Sequence, residues 1–212
     1  MNPTDLCRIM GDCGSDKGHT NIATCWHNYT QLYYSIFEKL RYSPIRIFEL
    51  GLGTNNTSLP SNMGKNGKPG ASLYGWSTFF PNATVFGADI DKDILFETDK
   101  IKTFFCDQTN PVVINEMWNQ PALLDQFDII IDDGLHEYHS NSCFFYNSIH
   151  KLKKGGYYII EDIISPLIPA WEYTLDNWRA AYPKYTFHLE KIYNEVNNWD
   201  NNLIVIHYSD TI

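Results

Sequence analysis

Five short apolar runs, each followed by a stretch of different periodicity, constrain this chain more than anything else in it. RIFELG (46–51), TVFGADI (84–90), KTFFCD (102–107), FDIIIDD (127–133) and GYYIIED (156–162) have the length and the β-branched or aromatic content of strands. The last two are apolar almost without a break, which suits strands covered on both faces, as in a parallel sheet. Between the runs lie helical stretches: SLYGWSTFF (72–80), DKDILFE (91–97), PVVINEMW (111–118) and SNSCFFYNSIHKL (140–152). The last of these leads into Lys151, Lys153, Lys154 and Gly155-Gly156, cations and glycines that suit the negative end of a helix. Such alternation predicts an α/β fold, a Rossmann-like doubly wound sheet that is mostly parallel with right-handed crossovers. Beyond it, 166–182 reads as a helix, and YTFHLEKIYN (185–194) with NLIVIHY (202–208) as a closing antiparallel hairpin. A helix over 29–40 precedes the first strand. The length of 212 residues predicts one domain: an N-terminal lid and helix (1–44), a ligand-binding core (45–163), then the helix and hairpin (164–212).

Composition narrows the partners. The net charge is −9 with no basic stripe, which argues against a nucleic acid, where phosphate neutralisation dominates affinity. No run of 18 apolar residues occurs, so no membrane span is expected. The opening MNPTDLCRIMGDCGSDKG lacks the basic start and apolar stretch of a signal peptide. Five cysteines, an odd number with no CxxC pair, suit thiols in a reducing compartment, and a cytoplasmic location follows. A small-molecule ligand remains, and a homo-oligomer is allowed.

Sheets of this kind bind ligands beyond the carboxyl ends of their strands, beside strand one. ELGLGTNN (49–56) stands there. Gly51 and Gly53 allow a tight turn and close approach of the backbone to a ligand, but the third glycine of a dinucleotide fingerprint is replaced by Asn56, and a long polar loop (54–70) follows. Asp89, ending the second strand, is placed to accept hydrogen bonds from ribose hydroxyls, unless it caps the next helix, a role open to Asp91 too. Asp107 and Gln108, after the third strand, stand where an adenine edge could be read or where an Asx-type turn would form.

The fourth and fifth strands end in carboxylates. With strand order 3-2-1-4-5, Glu49, Asp133 and Asp162 stand at the ends of three neighbouring strands, about 4.8 Å apart. Converging without a cation, they would repel and push a proton onto one of themselves. The arrangement asks for a divalent ion, most simply Mg²⁺, with Glu161 or Asp132 as alternative ligands. His136 follows Asp133 by three residues, after Gly134, and is placed to act as a general base; a bound metal would lower the pKa of a hydroxyl into its reach. His139 reads as a supporting or surface residue.

These segments resemble a known family. ELGLG (49–53), GASLYGWSTFFPNATVFGADID (70–91), CDQ (106–108), IDDGLHEYH (131–139) and GGYYIIED (155–162) are similar to the class I S-adenosylmethionine-dependent methyltransferases, specifically the metal-dependent macrolide (macrocin- and mycinamicin-type) sugar O-methyltransferases and related small glycan methyltransferases. GSDKG (14–18) and HNYTQLYYSIF (27–37) are similar to that family's opening segment. The resemblance implies S-adenosyl-L-methionine over Gly51 and Gly53, with Asp89 on its ribose, Asp107 and Gln108 near its adenine, and Glu49 and Asp133 close by. It implies a metal on Glu49, Asp133 and Asp162, His136 and Asp133 as the catalytic pair, and a sugar hydroxyl as acceptor. Tyr29 and the 14–30 segment, including Lys17, would fold over the site, and Lys17, Lys65 and Lys68 could meet a phosphate of an activated sugar. The rivals are a catechol-type small-molecule O-methyltransferase, a nicotinamide oxidoreductase, and a binding protein with a degenerate site. The missing third glycine and the terminal hairpin count against the oxidoreductase, and the intact Glu49, Asp133, His136 and Asp162 against the degenerate site.

Overall fold

Side chains point alternately to the two faces of one sheet, and the central strands, buried almost throughout, split the core into two layers. The computed structural model describes residues 2–209. Seven strands form the sheet: β1 (Arg46–Leu50), β2 (Thr84–Asp89), β3 (Ile101–Phe105), β4 (Phe127–Asp132), β5 (Leu152–Ile160), β6 (Tyr185–Lys191) and β7 (Asn202–Tyr208). Their order is β3-β2-β1-β4-β5-β7-β6; the first five are parallel, and β7 runs antiparallel to both of its neighbours, β5 and β6. This is the doubly wound sheet with the closing hairpin that the alternation predicted. The hairpin docks through its second strand, which leaves β6 at the edge.

Along β1, Ile47 faces one layer and Phe48 the other; along β4, Ile129 and Ile131 alternate with Ile130 in the same way. The first layer packs under α1 (Asp5–Cys13), α2 (Thr30–Phe37) and α3 (Ala71–Phe79), through Leu6, Met10, Tyr33, Phe37, Trp76 and Phe79. The second packs under α4 (Pro111–Trp118), α5 (Tyr138–Ser148) and α6 (Ile168–Ala181), through Trp118, Phe144, Phe145, Trp171 and Trp178. Helix α1 was not anticipated; Thr4 caps its start by accepting from the Cys7 N–H, and Gly14 ends it with φ 88°.

Two expected helices change form. The segment 91–97 contains only a 3-10 turn, Lys92–Ile94, capped by Asp91. The chain there instead folds back at once to β3, with Glu97 bridged to Lys102, which leaves no length for a full helix. The helix expected over 140–152 ends at Ser148, passes through a 3-10 turn (Ile149–Lys151) and is already β5 at Leu152. Lys151 turns away from that helix end and donates to the carbonyls of Trp118, Leu123 and Leu124.

Candidate active site

The register of the three central strands decides which carboxylates meet. Glu49 lies beside Ile131, and Ile131 beside Ile159. Side chains repeat every second residue along a strand, so Asp133 and Glu161, two residues further on, share the face of Glu49. That face is the one covered by the N-terminal segment, and the segment brings a cation to it. Lys17, only 2% exposed, donates through Nζ to Asp133 Oδ2 and Glu161 Oε2, both at 2.5 Å, and stands 3.5 Å from Glu49 Oε1. The convergence of carboxylates therefore does hold a positive charge, and the chain supplies it.

Glu49 is accordingly not grouped with Asp162. Its oxygens accept from Ser72 Oγ at 2.6 Å and from the Trp76 indole N–H, both on α3. Burial pushes its pKa up, with Lys17 pulling the other way. Glu161 takes the third place at the convergence, with Tyr33 Oη donating to its other oxygen at 2.5 Å. Burial also holds the Glu161 carboxyl well above its usual range, against the opposing pull of Lys17. Burial acts on Asp133 in the same sense but is overcome, so that Lys17 and His136 hold its carboxyl well below the usual range.

Asp162 leaves the strand alternation because its backbone turns left-handed, with φ 57°. This carries its carboxylate to a second group, where Oδ1 accepts from Tyr29 Oη at 2.7 Å and lies 3.6 Å from His27 Nε2. Oδ2 lies 3.4 Å from His136 Nδ1, while His136 Nε2 is 3.2 Å from Asp133 Oδ1. His136 itself has φ 59°. Two residues without glycine's freedom, both in this cluster, mark a backbone bent to aim side chains. Burial alone would lower the pKa of His136, but Asp162, Asp133 and Asp132 carry it up to about 10.

Among the described residues, one group has the spacing to hold a metal ion: Asp133, His136 and Asp162, whose ligand atoms all lie within 4.8 Å of one another. Two carboxylates at a partly open position suit a hard ion such as Mg²⁺, which keeps several waters and takes few protein oxygens. The donor set fits. Asp133 belongs to both groups, one oxygen in each.

The cleft beside this group encloses about 990 Å³, open solvent at its mouth included. Gly51, Gly53, Asp89, Asp107, Gln108, Asp133 and His136 all line it. Gly51 and Gly53 take φ 93° and 75°. Asp89 accepts from Leu52 N and Asp91 N, at 2.7 and 2.8 Å, and so shapes the turn after β1. Asp107 accepts from Thr109 N, the Asx-type turn that was the alternative reading. Gln108 is spanned between two partners: its oxygen accepts from Leu135 N at 2.7 Å, and its amide donates to Asp132 Oδ1 at 2.6 Å. It therefore holds the turn that presents Asp133 and His136. Asp132 also accepts from Asn141, and burial raises its pKa to about 7. It is not grouped with the metal candidates. His139 is exposed and joins neither group.

Around Asp162 the 192–201 loop and the N-terminal segment are laced together: Asn194 donates to the carbonyl of Trp26, Asn201 to Asn28, and Tyr29 to the carbonyl of Asp200. Those asparagines looked incidental in the sequence, since only the fold reveals their partners.

No protein-family model matches the chain. Its sequence is 30% identical over 169 residues to 8-demethyl-8-(2-methoxy-alpha-L-rhamnosyl)-tetracenomycin-C 3'-O-methyltransferase of Streptomyces olivaceus, and 30% over 172 residues to demethylmacrocin O-methyltransferase of Streptomyces fradiae. The matches take in 80% and 77% of this chain but span only 39% and 41% of those relatives. The fold is shared with the mycinamycin-pathway methyltransferase MycE, solved in complex with Mg and SAH: TM-score 0.74, 22% identity, 99% of this chain and 55% of that one. The chain has the class I methyltransferase fold, and over most of its own length it is related in sequence to these sugar O-methyltransferases, about two fifths of whose length it spans. A TM-score of 0.53 at 15% identity to a protein from Staphylococcus aureus named as a putative caffeoyl-CoA O-methyltransferase shows the same fold there. No helix of the chain, among the described residues, is long and apolar enough to cross a membrane.

Proposed function

We propose that this chain carries the catalytic unit of an S-adenosyl-L-methionine-dependent O-methyltransferase acting on a sugar hydroxyl, with Mg²⁺ or a similar divalent ion. The observation that carries the reading is the His136 ring held between Asp133 and Asp162 at the end of a cleft lined by Gly51, Gly53 and Asp89. The sequence relationship to enzymes named for methylating rhamnosyl and olivosyl groups supports the acceptor class. The net charge of −9 favours such a small acceptor over a nucleic acid, and five cysteines without a disulfide suit a cytoplasmic location.

With S-adenosylmethionine as methyl donor, a divalent ion at Asp133 and Asp162 would supply Lewis acidity that lowers the pKa of the acceptor hydroxyl. The chain's own groups account for the rest. Facing two carboxylates, His136 is protonated at neutral pH and cannot take a proton. It becomes a base once those charges are engaged elsewhere. Its contact with Asp162, at 3.4 Å, is the longer of the two, so Nδ1 is the nitrogen freed at lower cost to accept the hydroxyl proton. Gln108 fixes the turn under the ring, and Gly51 lets the turn after β1 close against the Asp133 carbonyl.

The test is S-adenosylhomocysteine titration by calorimetry, then methyl transfer to glycosides and to catechols with Mg²⁺ or EDTA. Binding, sugar methylation and its loss in EDTA are expected. His136→Asn should keep S-adenosylhomocysteine affinity and lower turnover by about 10²–10⁴-fold, the usual contribution of a general base. Methylation of catechols alone would move the enzyme to the phenol-directed class. Absence of nucleoside binding under every condition would end the methyltransferase reading.

A further inference from the structure

A second hollow lies beside the cofactor cleft, on the N-terminal segment. Its walls come from two short stretches that the backbone ties together. The Asp16 carbonyl accepts from His27 N at 3.1 Å, and the Lys17 carbonyl from Thr30 N at 3.2 Å. Gly18 lies so close to Thr30 that a Cβ would meet its Oγ1 at 2.0 Å. Residues 19–26 form the loop between these ties. The hollow encloses about 520 Å³, open solvent at its mouth included, and its lining includes Ser15, Asp16, His19, Thr24 and Trp26. Ser15 and Asp16 also line the cofactor cleft, so the two spaces share a wall.

The lining is of two kinds. Trp26 is 53% exposed, although both its chain neighbours, Cys25 and His27, are buried. Its carbonyl accepts from Asn194 Nδ2 at 2.9 Å, and its indole meets the His27 ring edge-on, with 6.2 Å between centroids and an angle of 88°. The backbone is pinned here, so a large ring kept half in water is a feature of the surface rather than the slack of a loose loop. His27 in turn holds Nε2 3.6 Å from Asp162 Oδ1, which puts Trp26 one imidazole away from the candidate chemistry. The rest of the lining offers a carboxylate, an imidazole and a hydroxyl, on Asp16, His19 and Thr24. Among the described residues, no lysine or arginine lines it. Lys17, next to Asp16 in the chain, points to the strand-end carboxylates instead.

We propose that this hollow is a second sugar subsite, and that the acceptor is an uncharged glycan of at least two rings, the terminal ring presenting its hydroxyl at His136 and the next ring lying on Trp26. The inference rests on the sugar O-methyltransferase reading above. A pyranose has a face of C–H groups and an edge of hydroxyls. One indole beside a few hydrogen-bonding groups matches both parts, the mixture usual in small-ligand sites. An apolar protein or lipid surface would instead bury Asp16, His19 and Thr24 without giving them partners, which is costly. A diphosphate attached to the terminal ring would meet the Asp16 carboxylate with no cation lining the hollow beside it, so a nucleotide-activated sugar is the poorer fit.

The test uses the full chain with S-adenosylmethionine and Mg²⁺. Methyl glycosides of L-rhamnose, D-glucose, D-galactose and D-mannose are compared with disaccharides ending in the same sugars. For the terminal sugar that is methylated, the disaccharide should show a KM about tenfold lower than the single ring, the effect of covering one apolar ring face. Trp26→Ala should remove that advantage while keeping S-adenosylhomocysteine affinity, and Trp26→Phe should restore most of it. Equal KM values for one and two rings, or a preference that survives Trp26→Ala, would reject the subsite and leave sugar methylation standing. Transfer to catechols and to no sugar would instead remove the sugar reading, and this inference with it. Proton–nitrogen NMR of the indole groups, with the Trp26 signal assigned through Trp26→Phe, gives an answer without turnover. The disaccharides should shift that signal when S-adenosylhomocysteine and Mg²⁺ are present; a signal unmoved across the whole panel overturns the proposal. So would sedimentation showing a dimer of this chain that Trp26→Ala dissociates, since the indole would then be covered by a second copy.

Discussion

Gly51 shows how little room the site leaves. With φ 93°, a Cβ at this position would stand 1.8 Å from the carbonyl oxygen of Asp133, an atom of the neighbouring strand end that cannot move aside. Gly51→Ala is therefore expected to cost about 2–4 kcal/mol in urea unfolding, through backbone strain and overpacking, and to abolish S-adenosylhomocysteine binding by calorimetry. A folded variant with wild-type affinity would show that the β1–β4 approach is not what admits the cofactor. At this scale the sequence was readable where chemistry is local. Gly51, Gly53, Asp89, Asp133 and His136 could be picked out because glycines and carboxylates at strand ends have few other uses. Glu161 and Asp162 could not be told apart, since strand alternation assigns Glu161 to the face of Glu49, whereas a left-handed residue at 162 recovers Asp162 for His136. That conformation is set by neighbours far along the chain, Tyr29 and His136 among them. Lys17 was expected at a phosphate rather than among carboxylates for the same reason: all three of its anionic partners are remote in sequence.

Among the elements, the pair β5 and β7 joins the parallel part of the sheet to its antiparallel edge. Tyr157 and His207 are register partners there, and their rings stack at 4.5 Å with an interplanar angle of 20°. Burial lowers the pKa of His207, against the pull of a Gly155 backbone hydrogen bond. A base held low in the folded state binds its proton more readily when unfolded. Its contribution to stability is thus intact above the ordinary histidine value of about 6.5 and is lost as pH falls below it. His207→Phe, which keeps the stacking and removes the proton, should flatten the fall of the melting temperature between about pH 7 and 5, the range in which the unfolded histidine titrates. A variant whose melting profile keeps the wild-type slope would place that acid sensitivity elsewhere. The strands were legible from their apolar runs, and β1, β2, β4 and β7 begin where the sequence places them. The helix expected at 91–97 failed because a helical pattern over so few residues cannot outweigh a short connection between two paired strands.

For the molecule as a whole, the groups lining the cofactor cleft are held by protein hydrogen bonds rather than by an ion: Asp89 by Leu52 and Asp91, Gln108 by Leu135 and Asp132. S-adenosylhomocysteine should therefore raise the melting temperature in EDTA as well as in Mg²⁺, with about 2.7 kcal/mol of stabilisation when the nucleoside is at 100 times its dissociation constant. A shift seen only with Mg²⁺ would mean that the ion organises the cleft. The doubly wound architecture was legible at this scale because alternating elements allow few topologies. The order β5-β7-β6 was not, because a hairpin signal does not say which of its strands joins the sheet.

That order also sets a timetable for the chain as it is made. Strand β7 is translated after β6 yet lies between β6 and β5, and Asn202, its first residue, grips Ile163 through two hydrogen bonds, one from each residue's nitrogen to the other's carbonyl. Asp200, just before it, takes the Tyr29 hydroxyl that also serves Asp162. Until roughly residue 208 has left the ribosome, the strand that carries Glu161 and Asp162 lacks its neighbour, and the Lys17 segment can meet the carboxylates only in an unfinished frame. The glycine turn needs only β1, β2 and β4, whereas the charged centre waits on β7.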